Sequence, residues 1–131
     1  MWSYKGRGLS MGVMIAGTDH KGPQLFYVDN DGNRLKGNIF AVGSGGTYAY
    51  GVLDSYYKWD LTDKQAVDLG VRAINEATHQ DSGSGGVVRV YHVHNSGWAW
   101  TKVIEAEDNS TLYWKFLEEK KRANDLEGAL L

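Results

Sequence analysis

The residues best placed for chemistry lie in a glycine-rich turn at residues 43–46, whose sequence is Gly-Ser-Gly-Gly. An apolar segment, residues 39–42, leads into this turn, and residues 47–57 after it have the pattern of a helix. Because the first amides of a helix lack intrahelical partners, such a turn can hold a negative charge or an oxyanion. The Ser44 hydroxyl adds a donor and an acceptor at the same place. The alternative is that a strand-to-helix turn simply needs glycines.

A second turn of serines and glycines, residues 81–86, follows the second predicted helix. Neither turn is a nucleophile elbow, since no Gly-x-Ser-x-Gly sequence surrounds Ser44 or Ser84. A dinucleotide fingerprint would need a glycine where the chain has Tyr48, and the Gly-Lys-Ser/Thr of a phosphate loop is absent. The turns therefore do not match the common nucleotide-binding loops.

Two other clusters contain residues that bind metals. The acidic turn at residues 29–33 would need Gly32 as the glycine of a calcium loop, but the first and last ligand positions would then be tyrosine and asparagine. Asp-Gly between alternating strands indicates a hairpin instead. His92 and His94 share one face of a predicted strand, but no third ligand is visible nearby. A histidine pair at the surface or at the edge of the core is the favoured interpretation.

Composition limits the partners and the chemistry. The chain has 131 residues, 14 basic and 16 acidic side chains, a net charge of −2 and no cysteine. Disulfides, thiolate nucleophiles and zinc-thiolate sites are excluded, and no strong field favours nucleic acid or an anionic membrane. The longest apolar run, at residues 13–16, is too short to span a bilayer. The start has no signal-peptide pattern, so we expect an intracellular protein.

Strands and helices must position the two turns. The patterns predict strands at residues 9–17, 24–28 and 33–43, helices at 47–57 and 62–80, a hairpin of strands at 87–94 and 98–104, and a last helix from Asn109 or Ser110. The continuous apolar character of the first strand predicts burial on both faces. Thr62 and Gln65 form a capping box. The predicted buried side of the second helix contains Ala66, Val67, Leu69, Gly70, Ala73, Ile74 and Ala77.

This order of elements predicts the α+β class, in which antiparallel sheet is layered with helices. There is no internal repeat and no linker. Several motifs resemble the chymotrypsin-like, type-5 β subunits of the 20S proteasome over residues 4–98, while the last helix fits by pattern only. The motifs are Tyr-Lys-Gly at 4–6, Gly-Leu-Ser-Met-Gly at 8–12, Tyr-Val-Asp at 27–29, Val-Gly-Ser-Gly at 42–45, Tyr-Ala-Tyr-Gly-Val-Leu-Asp at 48–54, Tyr-His-Val at 91–93 and Gly-Trp at 97–98.

The resemblance implies an N-terminal-nucleophile hydrolase with a four-layer αββα sandwich. In that family a threonine exposed by self-cleavage attacks peptide bonds, and an aspartate and a lysine from the first part of the domain support it. We expect this chain to be the later part of the domain, without that threonine, in which residues 1–123 are the C-terminal part of the domain and residues 124–131 a tail. Its strands, two helices, hairpin and final helix fit that part.

Three supporting residues carry over from the family. The resemblance implies that Ser44 hydrogen-bonds near the threonine amine and that Asp81 and Ser84 complete the network. A buried carboxylate with two hydroxyls can set the pKa of an amine that must act as a general base. No cofactor is required, although the family places a cation such as Mg²⁺ on backbone carbonyls, here those of Asp81 and Ser84. Gly46, Ser82 and Gly83 depart from the serine and Ala-Tyr usual in the family, which predicts looser turns.

The resemblance also implies partners and a location. These are other α and β proteasome subunits in stacked rings and unfolded polypeptide substrates, in the cytoplasm and nucleus, with no nucleic acid and no membrane. Two functions remain open at this stage. The first is part of a threonine-type endopeptidase subunit of intracellular protein degradation. The alternative is a truncated structural or assembly paralogue of the same fold without catalysis.

Overall fold

A computed structural model describes residues 1–104, with the backbone alone for residues 98–104. The predicted last helix and the predicted tail lie outside the described residues. After a short 3-10 helix (Trp2–Tyr4), the elements are β1 (Val13–Asp19), β2 (Gly22–Val28), β3 (Arg34–Lys36), α1 (Gly46–Tyr56), α2 (Asp63–Gln80), β4 (Val88–His94) and β5 (Gly97–Ile104). Within the described part of the chain, no helix combines the length and the apolar character needed to cross a membrane.

The described residues fall into two compact units. The first contains residues 1–43 and 91–100, and the second contains residues 44–90 and 101–104. In the first unit, β1, β2 and β3 form an antiparallel sheet in that order. Strands β4 and β5 form a separate two-stranded sheet. The α+β class predicted from the sequence is confirmed.

The acidic turn between β2 and β3 is the predicted hairpin. The Asp29 carboxylate accepts the backbone N–H groups of Asp31 and Asn33, at 2.9 Å each, and the Asn33 amide. The Asn33 side chain is the largest cause that lowers the pKa of Asp29. Gly32 has a φ of +82°, and a Cβ there would lie 2.7 Å from the backbone of Trp2, so glycine is required. The Asp29 carboxylate therefore stabilises the hairpin turn.

The third strand is shorter than predicted. It ends at Lys36, and residues 39–42 are not in a strand. The Gly37 N–H still donates to the Leu25 carbonyl at 3.1 Å. Continuing the register for two residues beyond Gly37 and Leu25 would place Ile39 opposite Pro23. Proline has no N–H for the ladder, so pairing stops there.

Strand β1 is less buried than the prediction. Met14 and Ile15 are 50% and 52% exposed, so burial on both faces is wrong for the described residues. β1 is an edge strand of its sheet. A face of a sheet is buried only where a second layer packs on it, which periodicity along one strand cannot show.

Helix α2 is the packed element of the second unit. Leu69, Ala73 and Ala77 are buried at a spacing of four residues, whereas Val71 and Asn75 are buried on the opposite side. Val71 packs with Val88 of β4, and α1 also contacts α2. Two opposed layers of neighbours therefore bury two sides of one helix.

The single buried side predicted for α2 is accordingly only partly right. Ala66 and Ile74 are exposed, and Val71 and Asn75 are buried in their place. The Asn75 Oδ1 atom has no hydrogen-bond partner within the described part of the chain. A buried acceptor without a partner costs about 1–3 kcal/mol. Because Asn75 is polar, the spacing of apolar residues could not predict its burial.

The predicted capping box fixes the start of α2. The Thr62 hydroxyl accepts the Gln65 N–H at 3.3 Å, and the Gln65 side chain accepts the Thr62 N–H at 2.9 Å. The helix ends at Gln80, as predicted, and Asp81 is its C-cap with an N–H that donates to the Ala77 carbonyl.

We expect Thr62→Ala to lower the free energy of unfolding by about 1 kcal/mol, because one helix N–H loses its acceptor. Urea unfolding followed by circular dichroism measures this value. Thr47→Ala is the matched control, since Thr47 is exposed in the first turn of α1 and the N-cap of α1 is Gly45. Equal losses in both variants would show that the Thr62 hydroxyl does not act as a cap.

Candidate functional site

The two glycine-rich turns meet at the carboxylate of Asp81. Asp81 follows the last residue of α2 in an extended conformation, with φ −105° and ψ 116°. Ser44 precedes Gly45, the N-cap of α1, and lies 37 residues before Asp81 in the chain. The end of one helix and the start of another thus bring Ser44 and Asp81 together within the second unit.

Three donors surround the Asp81 carboxylate. The hydroxyls of Ser44 and Ser84 both donate to Oδ2, each at 2.6 Å. The Gly83 N–H donates to Oδ1 at 3.2 Å. The Ser84 N–H also donates to the Asp81 carbonyl at 3.0 Å, which closes the turn. Distances of 2.6 Å are typical of charge-assisted O–H···O⁻ bonds.

These bonds lower the pKa of Asp81. The Ser44 hydroxyl is the largest cause, followed by the Ser84 hydroxyl and the Gly83 N–H. All three donate to the ionised form and so favour it. An ionised carboxylate can only accept, which fixes the direction of both hydroxyl protons.

The hydroxyl oxygens therefore present lone pairs to whatever approaches the cluster. Ser44 is exposed and Ser84 is half-buried, so a ligand can reach the Ser44 hydroxyl. A group that binds there must donate hydrogen bonds, and a positive charge on it is favoured by the carboxylate behind the hydroxyls. An amine or an ammonium group has these properties.

The start of α1 already has a carboxylate beside it, which contradicts the hypothesis that this turn holds an oxyanion. A Cβ at Gly45 would lie 3.3 Å from Asp81 Oδ2, so the carboxylate is beside the N-cap of α1. The positive end of the helix dipole stabilises a negative charge at that place. The anion next to this helix is Asp81 itself.

The structure brings together all three residues that the resemblance named, Ser44, Asp81 and Ser84. Their part in catalysis stays a prediction. The looser turns expected from Gly46, Ser82 and Gly83 also stay a prediction. The Gly83 N–H was not predicted as a donor, although aspartate side chains commonly accept the backbone N–H two residues later in a turn.

The two histidines of β4 lie beside each other. The rings of His92 and His94 lie edge to face with centroids 5.3 Å apart, and both residues are half-buried. The Ser96 N–H donates to His94 Nδ1 at 3.3 Å. Over the described part of the chain, no group of three or more side chains is arranged to bind a metal ion.

Known proteins match most of this chain. The sequence profile of the family described as "Proteasome subunit" matches residues 1–93. The proteasome subunit beta type-5 of Dictyostelium discoideum is 57% identical over 116 residues, which are 88% of this chain and 42% of that protein. The probable proteasome subunit beta type-5 of Schizosaccharomyces pombe is 50% identical over 119 residues, 86% of this chain and 44% of that protein.

The human proteasome subunit beta type-8 is 54% identical over 118 residues, which are 90% of this chain and 42% of that protein. The chain therefore spans less than half the length of these relatives.

We expect Ser44→Ala and Ser84→Ala each to raise the pKa of Asp81 toward that of a free aspartate, with the larger effect from Ser44→Ala. Because the folded-state pKa is lowered, the stabilisation is present above the unfolded-state pKa and is lost as the pH falls through the folded-state pKa. Carboxyl ¹³C NMR titration of the chain measures the pKa.

Asp29 is the internal control, because other hydrogen bonds lower its pKa. Its titration should not change in either variant. An unchanged Asp81 titration in both variants would contradict the assignment of the two hydroxyls as its donors.

Proposed function

The chain belongs to the proteasome subunit family, which has the N-terminal-nucleophile hydrolase fold, and we propose that it is part of a type-5 β subunit of a proteasome. The intact subunit would be a threonine-type endopeptidase with chymotrypsin-like preference that acts in intracellular protein degradation. One structural observation carries this proposal. It is the cluster in which Ser44, Ser84 and the Gly83 N–H bind the Asp81 carboxylate.

The cluster fits the α-amine of an N-terminal threonine. The Ser44 hydroxyl donates its proton to Asp81, so its oxygen is ready to accept an N–H from the amine. This bond would orient the amine so that its lone pair points to the threonine hydroxyl. The amine then takes the hydroxyl proton while the threonine oxygen attacks the peptide carbonyl carbon, and later gives that proton to the leaving amine.

Asp81 would act on the charge that develops in this step. An amine that takes up a proton becomes an ammonium group, and a nearby carboxylate stabilises it. Both hydroxyls donate to Asp81, so an amine bound to the Ser44 oxygen would be separated from the carboxylate by that hydroxyl. Asp81 would then be a positioning and electrostatic residue that does not exchange the proton itself. A structural or assembly paralogue would not need such a cluster, so its presence supports the catalytic function.

We also propose assembly with α and β proteasome subunits in stacked rings, with unfolded polypeptides as substrates, in the cytoplasm and nucleus. No nucleic acid or membrane is part of this proposal. The relatives are named as proteasome subunits, which supports a multisubunit particle. Exposed apolar side chains on the described surface are consistent with burial against other polypeptide, among them Met14, Ile15 and Trp59, which is 81% exposed.

In the assembled particle, we expect Asp81→Asn to lower chymotrypsin-like peptide hydrolysis about 10²-fold, because the ammonium group loses its counter-charge. Asp29→Asn is the matched control, since it makes the same chemical change in a turn of the other unit and should keep the activity. N-terminal sequencing of the purified subunit must show threonine in both variants. Full activity of Asp81→Asn with that N-terminus would contradict the proposal.

A structural cation is a further part of the proposal, with no cofactor required. The Asp81 carbonyl accepts the Ser84 N–H at 3.0 Å and has a second lone pair, and the turn also carries the Ser84 carbonyl. Carbonyl oxygens are ligands that Mg²⁺ and similar cations accept. Bound, such a cation would stabilise the turn that carries Asp81.

We expect Mg²⁺ to raise the melting temperature of the protein and EDTA to reverse the change. At a Mg²⁺ concentration of a hundred times the dissociation constant, the free energy of unfolding should rise by about 2.7 kcal/mol. Asp81→Asn should keep the effect, because the backbone carbonyls remain. A melting temperature that does not depend on Mg²⁺ would contradict a cation at this turn. Loss of the effect in Asp81→Asn would assign the cation to the side chain instead.

A further inference from the structure

We propose that His92 and His94 form a binding site for an exchangeable divalent ion of the zinc and copper class. The site goes beyond the proposed function, because both histidines belong to the first unit and neither is part of the cluster around Asp81. The two imidazoles supply two ligands, and water fills the other positions of the ion. The separation of the two rings and the contacts of Ser96 carry this site.

The two rings are spaced as two imidazoles on one ion are spaced. His92 and His94 are two residues apart in β4, so their side chains leave the strand on the same side. Their ring centres are 5.3 Å apart. With metal–nitrogen bonds of about 2.05 Å, each ring centre lies about 3.2 Å from the ion, and tetrahedral angles then place the two ring centres about 5.2 Å apart. The strand therefore holds the rings at the separation that a tetrahedral ion needs.

Ser96 can hold the His94 ring in the form that binds a metal. An imidazole coordinates through a nitrogen with a free lone pair, and the other nitrogen then carries the proton and needs an acceptor. The Ser96 Oγ atom lies 2.9 Å from His94 Nδ1, closer than the Ser96 nitrogen at 3.3 Å. When Nδ1 carries the proton, the hydroxyl oxygen accepts it. Nε2 is then the nitrogen of His94 that binds the ion.

The turn that carries Ser96 is tied to another strand of the same unit. The Thr18 hydroxyl of β1 donates to Asn95 Oδ1 at 2.8 Å, although the two residues are 77 positions apart in the sequence. Because Asn95 lies between His94 and Ser96, this bond limits the movement of both neighbours. Groups that are ordered before binding lose less entropy when a ligand arrives. Both imidazole-bearing residues are half-buried, so an ion from solvent can reach them.

The type of ligand selects the ion. Imidazole nitrogen suits Zn²⁺, Cu²⁺ and Ni²⁺, whereas Mg²⁺ prefers oxygen ligands. This preference separates the histidine pair from the Mg²⁺ proposed at the carbonyls of Asp81 and Ser84. Permanent zinc sites use three or four protein ligands. With two ligands, the ion of the histidine pair exchanges with solvent.

Titration of the full chain with Zn²⁺ tests the site, with the ¹⁵N signals of the histidine rings as the readout. We expect the signals of His92 and His94 to shift together and to saturate at one ion per chain, with the proton of His94 on Nδ1. His20 and His79 are exposed internal controls, and their signals should not follow this curve. Mg²⁺ at the same concentration should leave the ring signals of His92 and His94 unchanged.

Substitutions separate the ligands from the residue that orients one of them. His92→Ala and His94→Ala should each weaken Zn²⁺ binding about tenfold or more, and Ser96→Ala should weaken it about tenfold because Nδ1–H loses its acceptor. Ser96→Thr keeps the hydroxyl and should keep the affinity. His20→Ala is the matched control, since it removes an exposed histidine from the turn between β1 and β2.

Equal shifts of all the histidine signals, or an affinity that survives His94→Ala, would show an adventitious ion only and overturn the proposal. If His92→Ala and His94→Ala fold poorly, Ser96→Ala decides, because Ser96 is exposed in a turn and its replacement leaves both ligands in place. An unchanged affinity in that variant overturns the proposal. None of these measurements uses hydrolysis, so a lack of peptidase activity would contradict the proposed function and leave this result in place.

Discussion

One carboxylate joins the two turns of the second unit. Asp81 lies at the end of α2 and accepts a hydroxyl from the turn before α1 and another from its own turn. This arrangement depends on where α2 stops, since one more helical residue would carry the side chain about 100° around the axis. The capping box at the other end of α2 sets the first residue of the helix. The position of the site is thus fixed by the two ends of one helix.

The approach of the turns depends on small residues as well as on hydrogen bonds. Ala77 and Gly45 lie where α2 passes the start of α1, and neither has side-chain atoms beyond Cβ. The helix is buried on that side and on the opposite side, where Val71 meets Val88. A helix held between two layers has little freedom to slide or to rotate. The carboxylate at its end is therefore held by packing before any ligand arrives.

Features encoded by neighbouring residues could be predicted from the sequence, and features that depend on distant partners could not. The capping box of Thr62 and the hairpin at residues 29–33 follow from local chemistry, and both are present. The predicted end of the third strand was wrong, because its pairing depends on Pro23 in another strand. Apolar periodicity found one side of α2 and not the second, which holds a polar asparagine. The site itself came from the resemblance, since spacing alone cannot place Ser44 beside Asp81.

The charge of the cluster decides which class of group it can receive. A glycine-rich turn before a helix suggests an anion site, and the dipole of α1 does favour negative charge there. That negative charge is already supplied by Asp81, so a second anion would meet like-charge repulsion. The hydroxyl protons point to the carboxylate, so only acceptor atoms face outward. The same bonds that lower the pKa of Asp81 therefore convert a turn suited to an oxyanion into a site for a donor such as an amine.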